Sequence, residues 1–277
     1  MSLVNKYNFL RWDDGIAPVS VEDDIPNGYV RDPSRCDYKP LFVASEAMRF
    51  YINAESGLAW IDTPNTHKLA LINEYGTVVN ADLATLQVHS FAIVSGTVKT
   101  FYAEAIIDGT VPAGTYYYQI KTAGGTVKLT SNKFMVVGST SDFKSYSALC
   151  KFRHGRYFYG INYQDLLTFY QQFRLHLNMI DMQYEGDREV YNEVTTGKQR
   201  TYNNFMKKLV KSESYFFDKS AHDAAAIMYD HDELFINLKQ YVPKGAYKVN
   251  YDQKSKIFKG EMELYFEEFA SANRCTS

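Results

Sequence analysis

Val111-Pro112-Ala113-Gly114-Thr115-Tyr116-Tyr117-Tyr118-Gln119-Ile120-Lys121 decides the fold class. Proline and glycine introduce a run in which Tyr116, Tyr118 and Ile120 share one face while Thr115, Tyr117, Gln119 and Lys121 share the other. That period of two marks a half-buried strand. Glu261-Met262-Glu263-Leu264-Tyr265-Phe266-Glu267 repeats the arrangement, with Met262, Leu264 and Phe266 turned inward and the glutamates turned to water. The expected fold is therefore mainly β, with two consecutive antiparallel β-sandwich modules, the second carrying one short α-helix packed on its sheet.

Working outward from the tyrosine run, alternating segments fall at residues 49–54, 69–72, 86–94, 98–107, 115–121 and 126–137. Turn signals separate them at Glu55-Ser56-Gly57, Tyr75-Gly76, Ser95-Gly96, Asp108-Gly109 and Gly124-Gly125. About seven short strands at this spacing describe a sandwich over residues 36–138, and the Pro-Ala-Gly-Thr-Tyr run resembles the approach to the penultimate strand of immunoglobulin-like domains. Gly138-Ser139-Thr140-Ser141-Asp142 is small and polar, and is the expected linker to a second module over residues 139–277. There Phe173, Leu175, Leu177 and Met179 alternate with polar residues, and Thr195-Thr196-Gly197 turns a hairpin into residues 200–210. A helix is expected over residues 220–230, because Ala221, Ala224, Ala225, Met228 and Tyr229 recur at helical spacing, with Asp223 placed to complete a cap. Strands at 233–238, 245–251 and 257–269 then finish the module. Residues 1–35, with Pro18, Pro26 and Pro33 and little periodicity, read as an extended N-terminal arm.

Composition narrows the classes of function. The 277 residues carry 30 basic and 32 acidic side chains, a net charge of -2, which removes the electrostatic motive for binding nucleic acid or an anionic membrane. No apolar run approaches the roughly 20 residues needed to span a bilayer, so no membrane insertion is expected. Cys36, Cys150 and Cys275 are odd in number and widely spaced, which argues against a disulfide framework and a CxxC-type zinc site. With no signal-like N-terminus, folding in a bacterial cytoplasm is expected. The 23 tyrosines and 18 phenylalanines supply large contact areas, many with a polar tip suited to an interface.

The chemistry-bearing residues do not assemble into a catalytic pattern. Asp230-His231-Asp232-Glu233 is the densest group of metal-ligand types, yet neighbours on an extended turn point apart and no second histidine stands at helical spacing. A solvated helix-to-strand turn is expected there. His154, with Arg153 and Arg156 about Gly155, reads as a solvent-facing basic loop able to grip a carboxylate. No nucleophile elbow or phosphate-binding glycine loop occurs, since Gly124-Gly125 joins two strands. Lys207-Lys208-Leu209-Val210-Lys211 alternates as a charged strand edge. No catalytic, cofactor-binding or metal-binding residue is assigned.

The order of elements in the second half, from the strand at Phe173 through the hairpin at Gly197, Tyr215-Phe216-Phe217, the helix from Ser220 and the closing strand before Cys275, resembles tail-associated virion proteins of phages infecting Bacteroidota, including crAss-like phages. The resemblance implies a non-enzymatic building block of a tail ring, hub or baseplate. Such a protein would form a ring-shaped homo-oligomer, touch other virion tail proteins and reside in the virion. On this expectation Phe9 and Trp12 of the arm, together with Tyr117 and Tyr265, are the candidate subunit contacts. The alternative is a carbohydrate-binding or adhesin module, in which Trp12 or Trp60 would sit beside tyrosines on an open face. A polysaccharide hydrolase or lyase ranks third and requires two carboxylates about 5–9 Å apart across a cleft.

Overall fold

The computed structural model describes residues 8–13, 39–54, 66–93, 96–138, 147–159, 161–164, 166, 168–216, 219–252, 257–266 and 271–272. Most of the expected arm, the linker after Gly138, Trp60, Cys36 and Cys275 lie outside them. The protein is mainly β. Its first half contains β1 (Trp12–Asp13), β2 (Leu41–Val43), β3 (Ala47–Ala54), β4 (Lys68–Asn73), β5 (Val78–Thr85), β6 (Gln87–Ile93), β7 (Gly96–Ile106), β8 (Gly114–Lys121), β9 (Val127–Ser131) and β10 (Phe134–Val137). The second contains β11 (Ala148–Arg153), β12 (Tyr157–Phe158), β13 (Ile161–Asn162), β14 (Gln171–Leu175), β15 (Leu177–Asn192), β16 (Gln199–Phe216), helix α1 (Lys219–Tyr229), β17 (Glu233–Ile236), β18 (Lys239–Asp252), β19 (Ile257–Phe266) and β20 (Ser271–Ala272).

The tyrosine run forms β8, which is hydrogen-bonded on both edges. β4 lies along one, and β10 followed by β9 along the other. A strand so placed is buried more completely than its alternation suggests. Tyr116, Tyr118 and Ile120 enter the main core as expected, but Gln119 is buried as well, and Tyr117 packs with Ala70 and Ile72 on the opposite face. β5 extends this layer beyond β4. β3, β7 and β6 form a second group, joined to the first by rings: Phe50 stacks on Tyr118 at 5.9 Å and meets Trp12 at 5.6 Å.

Not every pairing is antiparallel. β2 runs parallel to β10, Leu41 opposite Met135 and Val43 opposite Val137. These strands lie far apart in the chain, so no hairpin turn dictates their direction. The second half departs further from facing sheets: its strands belong to one closed barrel with those of the first half, and return on themselves within it. β11 pairs β14, which runs through His176 into β15; β15 pairs β16, and β19, β18 and β17 follow in turn until β17 pairs β11 again. Closure removes the exposed edges an open sheet would carry.

α1 packs against β16 and β18. Ala221, Ala224, Ala225, Met228 and Tyr229, the face expected from their spacing, are buried in the same apolar cluster as Val210, Leu234, Ile236, Met262 and Leu264. The helix begins at Lys219, so Asp223 lies beyond the first turn rather than at the cap. β14 also joins the two halves, with Arg174 opposite Leu41 and Gln172 opposite Arg49. Their apolar side chains form one continuous cluster from Phe9 to Leu264. The guanidinium of Arg174 donates to both carboxylate oxygens of Glu46, at 2.7 and 2.5 Å, and to the Ser147 hydroxyl at 3.1 Å.

Candidate functional site

The arm residues expected at subunit contacts are committed to the interior of their own chain. β1 pairs β9, and Asn132 fastens the segment by accepting the Arg11 amide at 3.0 Å and donating to the Phe9 carbonyl at 3.2 Å. Trp12 is fully buried and Phe9 is 3% exposed. Phe9 meets Phe173 of the second half at 5.6 Å, while Trp12 meets Phe50 within the first half, so Phe9 bridges the seam and Trp12 packs beside it. Tyr117 is buried as well. Burial of Trp12 also withdraws it from the open face that a sugar-stacking role requires.

Tyr265 is half-buried on the outer face of β19, where its hydroxyl donates to Glu185 at 2.9 Å. Lys244 donates to the same carboxylate at 2.5 Å, and the ammonium groups of Lys207 and Lys244 lie 4.9 and 5.3 Å from the centre of the tyrosine ring. Lys244 first, then Tyr265, hold the Glu185 carboxyl below the usual carboxylate range. Tyr265 therefore anchors the root of the β15–β16 hairpin.

That hairpin carries a run of exposed residues. Its pairing runs from Leu177 opposite Ser214 to Asn192 opposite Gln199. β19 supports β16 over Leu209–Phe216, and β20 reaches Phe205 and Met206. Beyond these, among the described residues, two strands continue without a third. Arg188 to Asn192 alone extends about 17 Å at the usual ~3.4 Å rise. Gly197, at φ +67°, closes the turn, and its amide donates to the Glu193 carbonyl at 2.7 Å. Met182, Tyr184, Val190, Tyr191 and Val194 are exposed, Val194 completely. The turn was legible from Thr195-Thr196-Gly197, but the length was not. A bulge between Ile180 and Met182 breaks the alternation, so the period of two is lost along β15.

A second constellation joins the two polar motifs that stood apart in the sequence. The expected solvated turn keeps Asp230 and Asp232 exposed and Glu233 half-buried, but His231 is withdrawn from water, 3% exposed, between the rings of Phe152 and Phe158. Its Nδ1 lies 2.7 Å from the Ile227 carbonyl and must donate there, which leaves Nε2 to accept the Tyr163 hydroxyl at 3.1 Å. Tyr163 accepts from Gln171 at 2.7 Å, and Gln171 accepts from Asn8 at 2.9 Å. Burial, with the neighbouring His154 as a smaller cause, pushes the His231 pKa down to about 4. Asp232 accepts the Gly155 amide at 2.9 Å and lies 3.3 Å from His154 Nδ1, so the Arg153–Arg156 loop is clamped to the helix-to-strand turn. The chain of bonds ties Asn8, Gln171, Tyr163 and His231 together across distant parts of the sequence. Among the described residues no group of three or more His, Cys, Asp or Glu could hold a metal ion.

A third feature is a cleft of about 490 Å³ at the junction of β3, β7 and the β5–β6 turn. Arg49 and Glu104 face each other across β3 and β7, with Arg49 Nε donating to the carboxylate at 2.6 Å. Tyr102 and Phe169 form an edge-to-face pair at 5.4 Å beside them. Nothing in the local sequence links these residues. No described helix is long and apolar enough to cross a membrane. The chain matches no protein-family model and no curated protein.

Proposed function

We propose that this chain is a structural subunit of a phage tail, in a ring, hub or baseplate, assembling with copies of itself and with neighbouring virion proteins and performing no catalysis. The observation that carries the reading is the hairpin beyond Met206. A two-stranded ribbon is marginally stable in water, and this one exposes Val190, Tyr191 and Val194, an apolar and aromatic surface suited to a contact. The closed barrel gives such an arm a rigid base, and the Glu185–Lys244–Tyr265 cluster braces its root. An arm docking on a different surface of the next copy makes a head-to-tail contact, which closes into a ring when the rotation permits. The resemblance of the second half to tail-associated virion proteins of Bacteroidota phages supports the same reading, on which the folded chain would reside in the virion after synthesis in the host cytoplasm.

The test is the mass of the native protein, measured by light scattering and in purified particles, beside a variant in which residues 188–204 are replaced by Asn-Gly. A multimer for the native chain and a folded monomer for the variant are expected. A native chain that stays monomeric at high concentration and joins no particle would overturn the proposal.

A further inference from the structure

We propose that the cleft at Arg49 and Glu104 is a saccharide-binding site taking a neutral pyranose residue. The proposal does not depend on the assembly reading and uses none of the hairpin. The cleft falls within the range of about 300–1,000 Å³ typical of small-molecule sites. Its polar groups are incompletely used. Among the described residues the two NH2 groups of Arg49 and the second carboxylate oxygen of Glu104 make no hydrogen bond, and neither do the Gln87 amide or the Thr168 hydroxyl. The Arg49 and Glu104 side chains are 30% and 47% exposed, so both can be reached.

The chemistry of this group selects its ligand. A guanidinium and a carboxylate already paired carry no net charge, so neither a free anion nor a cation gains a full opposite charge. What they do offer is a fixed donor beside a fixed acceptor. Two neighbouring hydroxyl groups satisfy that pair, one donating to Glu104 and the other accepting from Arg49, and Gln87 can serve a third as donor or acceptor. The Tyr102–Phe169 pair supplies an apolar wall on the same cleft for the C–H bonds of the ring. Phe169 is fixed by packing with Tyr51, Tyr163 and Leu166, so the wall is built before a ligand arrives. Alternating hydroxyl and C–H surfaces are what distinguish a sugar from a purely polar or purely apolar ligand.

The experiment follows backbone amides of the full chain by NMR during titration with the methyl glycosides of glucose, galactose, mannose and N-acetylglucosamine, and with methyl glucuronoside as the charged comparison. Saturable shifts at Gln87, Glu104 and Thr168 are expected with at least one neutral glycoside. Affinity should fall about tenfold in Glu104→Gln, which keeps the side-chain shape, and in Arg49→Lys. No saturable shift with any neutral glycoside, or Glu104→Gln binding as tightly as the native chain, would overturn the proposal. Glucuronoside bound in preference to every neutral glycoside would overturn it too, since Arg49 would then be acting as an anion site.

Discussion

His231 illustrates how a polar residue becomes structural. Folding removes it from water and fixes one tautomer, in which Nδ1–H serves the Ile227 carbonyl and Nε2 serves Tyr163. Protonation would place a second hydrogen on Nε2 against the tyrosine hydroxyl, so the folded state favours the neutral ring. The folded pKa, about 4, lies below the usual 6.5, so the unfolded chain binds this proton more readily. The stabilisation is fully present above pH 6.5 and is lost as the pH falls toward 4, with a ceiling on the order of 3 kcal/mol. Urea midpoints measured across this range should fall more steeply for the native protein than for His231→Gln, and a constant difference between the two would refute the assignment. The sequence marked His231 as notable but gave no sign of its burial. The ring edges around it come from Phe152 and Phe158, and the chain of bonds beyond it ends at Asn8.

Among the elements, β18 and β19 show how local irregularity is put to use. β18 carries a bulge between Lys244 and Lys248, which folds Tyr247 across β19 onto Gly260. A Cβ at residue 260 would stand 1.8 Å from the Tyr247 hydroxyl oxygen and 2.5 Å from Ser214 Oγ, so only glycine fits. The Tyr247 hydroxyl meets Ser214 and His222, each at 2.8 Å, while its ring stacks on Tyr229 at 5.4 Å. Gly260→Ala should therefore cost about 3 kcal/mol in chemical denaturation, combining overpacking with displaced hydrogen bonds. In a Tyr247→Leu background the same change should cost markedly less, and strict additivity of the two substitutions would count against this contact. The alternation of Met262, Leu264 and Phe266 was readable in sequence, whereas the strand expected over 233–238 ends at Ile236. Asn237 and Leu238, both at positive φ, turn the chain into β18, and the Asn237 side chain accepts the Leu149 amide at 2.9 Å.

At the scale of the whole molecule, the halves share one apolar cluster, β14 bonds to strands of both, and Arg174 spans the join to Glu46. Heating should accordingly give a single calorimetric transition with equal calorimetric and van't Hoff enthalpies. Arg174→Met should lower stability by about 3 kcal/mol, because it strands the Glu46 carboxylate, while leaving the transition single. Two resolved transitions in the native protein would show the halves to be energetically separate. Spacing among near neighbours suffices for the β class, the inward faces of β8, β19 and α1, and the turn at Gly197. Closure of the barrel, burial of Phe9, Trp12 and His231, and the meeting of Arg49 with Glu104 arise from contacts between distant segments. The physical reason is that a period of two or 3.6 states which side of an element avoids water. What covers the other side, and which distant strand lies alongside, is set by long-range pairings such as Gln172 with Arg49, on which local spacing has no influence.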